Sequence, residues 1–343
     1  MKELALYVLV LCTCFSCHQK QVPEPSVVQN PEIELSVPVG FPELNASVDK
    51  NPPTVYGVVL GQKLFNEKRF SSNNTISCGS CHNQSYAFTD QLPKAKGVYD
   101  RIGLRNTPPI QNLAFMRFYN WDGNILELER QPLIPIITHA EMDASIVEII
   151  HKLEADPHYA ELFEKAFGDQ GITADRIYRS LAQYQYTLIS ANSKYDQVKR
   201  GEAVSFTESE ARGYISFQQK CMSCHSTELF TDQSFRNIGF PINPSAEEAG
   251  RARVTGELED LMCFRVPSLR NAGYTAPYGS FGQFATLKAV LDYLDTGVLF
   301  ADNLDPILKN NGNRIPLSEE EKEDLIAFIQ TLNDPFFVEE KEP

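Results

Sequence analysis

Cys78-Gly79-Ser80-Cys81-His82 and Cys221-Met222-Ser223-Cys224-His225 are two copies of the pattern C-x-x-C-H. This is the attachment pattern of a c-type haem. Two thiols one turn apart add across the porphyrin vinyl groups, and the adjacent imidazole binds iron from the proximal side. The chain has 8 Cys and 6 His in 343 residues, so chance would give on the order of 0.003 matches. A bare C-x-x-C would also suit a zinc or thioredoxin-like site. Both copies are followed by His, however, and no further Cys pair completes a zinc set. The sequence reads as a dihaem cytochrome, with Cys78, Cys81, Cys221 and Cys224 as thioether positions and His82 and His225 as proximal ligands.

A third match, Cys14-Phe15-Ser16-Cys17-His18, sits at the end of the apolar run Leu4–Phe15 behind Lys2. The run is too short to span a bilayer but right for the apolar region of an export signal. Cys17, after Ser16 and before a polar segment, is expected to be the lipidation site of a lipoprotein signal covering residues 1–17. Plain cleavage is the alternative, and a third haem there would have no surrounding chain to bury it. Cys12, Cys14 and Cys17 then belong to the signal and Cys263 is left single, so no structural disulfide is expected in the mature chain. Export fits c-type haem, which is attached outside the cytoplasmic membrane, and implies the periplasmic side.

Residues 18–53 are rich in Pro, Val, Glu and Asn without helical periodicity and read as a tether and extended arm that lies on the folded body. The remainder is ample for two domains, expected at 54–200 and 201–334, with an acidic tail at 335–343. A formal charge of −14 excludes nucleic acid as a natural partner and suits a donor protein with a basic face.

The two halves repeat one another. Gly61-x-x-x-Phe65 and Gly213-x-x-x-Phe217 precede the motifs, and Phe88-Thr89-Asp90 and Phe230-Thr231-Asp232 follow them. Leu104-Arg105-Asn106 is then matched with Leu269-Arg270-Asn271, and Tyr119-x-x-x-Gly123 with Tyr278-x-x-x-Gly282. Capping-box patterns at Ser145-x-x-Glu148 and Ser318-x-x-Glu321 open apolar stripes at helical spacing, and Thr173 caps a helix running to about Ile189. The expected fold class is mainly α, as two cytochrome c-like haem domains related by internal duplication.

The stretches LGQKLFNEKRFS, RNTPPIQN, WDGN, ERQPLIPI, AEM and FRVPSLRNAGYTAPY, in this order around the two haem motifs, resemble the bacterial dihaem cytochrome c peroxidase family, including its MauG-like branch. The resemblance runs from about Gly57 to about Leu332. It implies a peroxidatic N-terminal haem and an electron-receiving C-terminal haem. Gln131 and Glu141 match the polar residues beside the peroxidatic iron, where a carboxyl can act as base and then acid in O–O cleavage. Trp121, the single Trp, matches the residue lying between the haems. Asn106, Thr275 and Pro277 match positions that bind a calcium ion through one side-chain oxygen and two backbone carbonyls.

Two departures from the family pattern stand out. The loop His that blocks the resting peroxidatic haem in many relatives is Val98 here, and Leu92–Gly103 contains no His. The turn position that holds a His in many relatives is Ser280. No reductive unlocking is therefore expected, unless His139, two residues from Glu141, reaches the iron. For the second haem, the segment Thr286–Leu294 contains no Met. Tyr293 matches the position that is Met in ordinary family peroxidases and the ligand Tyr of the MauG-like branch, with Met262 as the fallback ligand.

Two functions stay open at this point. One is a peroxidase reducing H2O2 to water with electrons from a small cytochrome or cupredoxin, entering at the C-terminal haem and passing via Trp121. The other is a MauG-like enzyme that uses peroxide to oxidise aromatic residues of a partner protein. A plain electron carrier would not need Gln131 and Glu141. A homodimer is compatible with either function.

Overall fold

A computed structural model describes residues 29–241 and 248–339. The signal segment with Cys17, the start of the tether and residues 340–343 lie outside the described residues. Helices and short 3-10 turns dominate, and the only paired strands among the described residues are Phe235–Arg236 and Phe264–Arg265, antiparallel. The mainly α expectation holds.

Each half is built on one helix crossing, and a glycine makes each crossing close. In the first, helix Val55–Phe65 packs on helix Ala174–Tyr186; in the second, helix Glu208–Lys220 packs on helix Glu319–Gln330. A Cβ added at Gly61 would lie 2.0 Å from the Ser180 carbonyl oxygen, and one at Gly213 would lie 1.9 Å from that of Asp324. No side chain fits at either position, so the backbones meet directly. Thr54 and Thr207 cap the two leading helices, each accepting from a backbone amide three residues on. Thr173 starts the helix expected from it, but that helix ends at Tyr186, three residues short of Ile189.

Two aromatic-rich cores follow. The first joins Leu60, Leu64, Phe65 and Phe88 to Tyr159, Leu181 and Tyr186. The second gathers Tyr195, Phe217, Phe230, Leu325 and Phe328. Tyr195 stands edge-on to Phe230 at 4.9 Å, and its neighbour Asp196 pairs with the fully buried Arg270 at 2.8 Å. Helix Lys194–Lys199 thus packs with the second core.

The arm lies on the body. Ile33 N–H donates to Pro53 O, Asn45 N–H donates to Ala114 O, and a short helix spans Ala46–Lys50. Phe41 on this arm packs against Phe115 at 5.2 Å and under the guanidinium of Arg270 at 4.6 Å, so it touches both halves. Residues Pro335–Val338, assigned to a tail, instead form a helical turn. Its Phe337 is buried against Phe88, 5.4 Å between ring centres. Burial of Phe337 outweighs the acidic composition around it, while Phe336 stays exposed.

The duplication is visible atom by atom. Asn83 bridges Thr89 in the first half, and Phe88 and Phe230 both adopt positive φ, at 61° and 54°. The bridges Tyr119–Ile125 and Tyr278–Phe284 correspond as well. One correspondence needs correction. Asn112 and Asn271 both adopt left-handed φ, 58° and 59°, and both open a 3-10 turn seven residues before the bridged Tyr. Asn271 therefore corresponds to Asn112 and not to Asn106; the short string Leu-Arg-Asn misled because Pro108-Pro109-Ile110-Gln111-Asn112 lacks it.

Candidate haem sites

Both C-x-x-C-H segments end in the same hydrogen bond. His82 Nδ1 lies 2.9 Å from Phe88 O and His225 Nδ1 lies 3.1 Å from Phe230 O. A carbonyl oxygen only accepts, so Nδ1 carries the proton and Nε2 keeps its lone pair for a metal. Burial holds both imidazoles below their ordinary pKa, which keeps them neutral as ligands must be. The positive φ of Phe88 and Phe230 is what turns each carbonyl back onto its ring.

Against His82 lies a cavity of about 560 Å³ whose wall includes Cys78, Cys81, Gln131, Glu141 and Trp121. That volume falls within the ~300–1,000 Å³ of ordinary cofactor sites. Burial pushes the thiols of Cys78 and Cys81 up to about 12, as expected in a wall shaped for an apolar macrocycle. These residues fit a covalently held haem: two thiols, a neutral imidazole with a free nitrogen, and a space of the right size. In the second half, Cys221 and Cys224 are half-buried beside an equally oriented His225.

The polar wall is specific. Burial raises the carboxyl of Glu141 above its ordinary range, and its side chain has no hydrogen-bond partner among the described residues. Its carbonyl oxygen accepts from Val98 N–H at 2.8 Å. A Cβ at Gly97 would meet Ala140 O at 2.2 Å and Glu141 O at 2.5 Å, so the loop can lie this close only with glycine there. Val98 itself is buried, at 1% exposure, and Gly97 forms the cavity wall in its stead. Gln131 Nε2 donates to Asn120 Oδ1 at 3.3 Å, and Gln131 lines the same cavity as Glu141.

His139 is on the surface. Its side chain is 74% exposed and lies 3.2 Å from Asp143, with Arg101 alongside. Trp121 is buried at the seam of the two halves, where its indole N–H donates to Asn106 O at 2.9 Å. Phe264 stands edge-on to it, and Met262 is buried in the same cluster. The Tyr293 hydroxyl donates to Gly239 O, and Leu299 N–H reaches the phenol oxygen at 3.4 Å. Its helix, Leu287–Thr296, is held to helix Glu319–Gln330 by Lys322, which meets Asp292 at 2.8 Å and Asp295 at 3.0 Å.

Of the residues expected to hold calcium, Asn106 joins two segments. Asn106 donates its side-chain N–H to Leu92 O and its backbone N–H to Ser280 O at 2.9 Å, which brings the two segments together. No cluster of three or more His, Cys, Asp or Glu that could hold a metal occurs among the described residues.

Sequence reading passed over Arg105, Asn120 and Arg265. Arg105 pairs with Asp122 within the first half and with Glu248 across the seam, both at 2.8 Å. Arg265 lines the haem cavity although it belongs to the second half. No local signal in Phe264-Arg265-Val266 marks it, because alternation puts Arg265 on the face opposite its two buried neighbours without saying what that face meets.

Residues 55–204 match the family model of the di-haem cytochrome c peroxidases. The methylamine utilization protein MauG of Methylorubrum extorquens is 36% identical over 288 residues, 82% of this chain and 79% of its own length. The chain belongs to the di-haem cytochrome c peroxidase family. Within that family, the cytochrome c551 peroxidase of Nitrosomonas europaea is 34% identical over 80% of this chain and 78% of its own. A solved MauG-like protein associated with microbial copper homeostasis superposes with a TM-score of 0.79 at 31% identity, covering 90% of this chain and 97% of that one. The diheme peroxidase BthA of Burkholderia thailandensis, at TM-score 0.73 and 22% identity, shares the fold. As a di-haem cytochrome c peroxidase the chain is a peroxidase-type oxidoreductase that carries two c-type haems. No helix among its described residues is long and apolar enough to cross a membrane.

Proposed function

We propose that this enzyme reduces hydrogen peroxide to two waters, consuming two electrons and two protons, on the periplasmic side of a membrane to which Cys17 anchors it. The observation that carries this reading is the side chain of Glu141, without a hydrogen-bond partner among the described residues, in the wall of the same cavity as His82. A bound haem supplies the iron at which peroxide is reduced. The chain supplies proton movement. Glu141 takes the proton from one peroxide oxygen and returns it to the leaving one, and the Gln131 amide orients the molecule by hydrogen bonding. Electrons enter at the second haem from a small cytochrome or cupredoxin and pass Trp121, buried at the seam. Because the loop stitched to Glu141 presents Gly97 and no His, the oxidised enzyme is open to peroxide from the start. A calcium ion held by Asn106, Thr275 and Pro277 would stiffen the same seam; chelation should slow electron transfer between the haems, and an unchanged rate would remove it.

A second reading has its own support. The helix Leu287–Thr296 holds Tyr293 and no Met, and phenolate ligation favours ferric and more oxidised iron. With Tyr293 as ligand, peroxide would drive oxidation of aromatic residues in a partner protein. For this, the Tyr293 hydroxyl must leave Gly239 O for the iron. Steady-state turnover of H2O2 with reduced cytochrome, beside mass spectrometry of candidate partners, separates the readings. Fast turnover without an oxidised partner supports the first, and negligible turnover with one supports the second.

A further inference from the structure

Arg265 is a half-buried cation in the cavity wall with no acid beside it. Its Nε–H donates to Asn120 O at 3.2 Å, and it forms no ion pair among the described residues. The contrast with Arg105, which meets both Asp122 and Glu248 at 2.8 Å, is sharp because the two arginines line the same cavity. Arg265 also lines a small second cavity together with Trp121, Pro108 and Leu229. By its surface it is only half-buried, yet burial depresses its guanidinium to about 10. Both hold if the surface it keeps is cavity wall and not the outside of the protein. An unpaired guanidinium in such a place is unfavourable unless an anion joins it. It therefore belongs to a site that is completed by a negatively charged ligand.

The backbone places it. Arg265 N–H donates to Trp121 O at 2.8 Å, and its side chain reaches the carbonyl of Asn120, the residue whose Oδ1 holds Gln131. Phe264 and Val266, its neighbours on either side, are buried. The short pairing of Phe264–Arg265 with Phe235–Arg236 fixes this alternation.

We propose that Arg265, contributed by the second half, is the positioning residue that binds a propionate carboxylate of the first haem, fixing that haem's edge beside Trp121. A guanidinium fork matches a carboxylate with two parallel hydrogen bonds, which orients as well as binds. The cation also stabilises the reduced iron, so the second half sets part of the first haem's potential. The inference rests on the assignment of a covalent haem to Cys78 and Cys81.

The test uses the purified holoprotein with both haems. Arg265→Gln should move the ferric-to-ferrous ratio of the first haem, at fixed applied potential, about tenfold towards ferric, as expected for losing a unit charge at an effective dielectric near 20. For one electron that is about 59 mV. Arg265→Lys should stay within about twofold, because it keeps the charge. In both variants the propionate bending band of the resonance Raman spectrum should shift, because neither side chain reproduces the fork. An unchanged ratio in Arg265→Gln, or a shift confined to the second haem, overturns the proposal. If Arg265→Gln does not accumulate, an unshifted Raman band in Arg265→Lys overturns it. Failure of the underlying haem assignment would look different: the peptide holding Cys78 and Cys81 would lack the haem mass.

Discussion

The main-chain amide of Val98 donates to the carbonyl oxygen of Glu141 across 2.8 Å, tying the loop beside the first haem cavity to the segment that carries its carboxyl. The fully ferric enzyme should react with H2O2 in a stopped-flow mixer, with rapid loss of a high-spin signal. Inert ferric protein that wakes on half-reduction would contradict the open site.

Glu141→Gln should slow that step by about 10²–10⁴-fold, the usual contribution of a positioned acid–base group. The carboxyl must first be ionised to take a proton, and burial raises its pKa. The second-order rate should thus rise with pH through a value above the ordinary carboxylate range, and this limb should vanish in Glu141→Gln. A flat profile in the parent enzyme would assign the proton to another group.

Tyr293→Phe tests the second haem. Under the phenolate reading its spectrum should change to that of an open or water-bound site, while Met262→Leu leaves it alone. The opposite pair of results would point to Met262, now buried against Trp121, and to an ordinary peroxidase.

Arg270 is fully buried and grips both oxygens of Asp196, at 2.9 and 2.8 Å. Arg270→Leu should cost about 3–5 kcal/mol in denaturant unfolding, because it strands a buried carboxylate. Replacing both partners with Leu should recover much of the loss. Burial pushes the Asp196 carboxyl up, but hydrogen bonds and charge from Arg270 win and hold it below its ordinary value. A depressed carboxylate stabilises above its unfolded pKa of about 3.9, and the gain is lost as pH falls through the folded value. The difference between parent and Arg270→Leu should accordingly shrink in acid; a constant difference would show that packing is the cause.

Gly213→Ala should destabilise the second half by about 1–3 kcal/mol, because its Cβ must displace the Asp324 carbonyl at the helix crossing. Gly61→Ala should do the same in the first half against Ser180. Parent-like melting in either variant would mean that the crossing can slide.

Much of this was legible beforehand because covalent chemistry writes itself into spacing. Two thiols and an imidazole must lie within five residues, so the presence of two haems, the duplication and the helical class could be read from the chain. Contacts between distant segments could not. Nothing in Phe264-Arg265-Val266 says which cavity the guanidinium meets, and nothing local to Tyr195 says that its ring joins Phe230 and not the first core. His139 shows the opposite limit: its closeness in sequence to Glu141 left iron ligation open beside a surface role, and a turn over 138–143 sends the ring outwards to Asp143. Leu-Arg-Asn paired the wrong asparagines because a three-letter string carries less information than a backbone conformation.

The cavity built on His82 takes part of its wall from Val254 and Arg265, residues that follow the second haem motif by some distance in the chain. Cut between the halves, the first would hold its haem in a cleft open to water on one side. Gene duplication supplied two copies of one module, but the copies have become parts of a single socket. A swap that exchanged one half for that of a relative would bring in a foreign wall, and would have to be judged as a redesign of the other half's site.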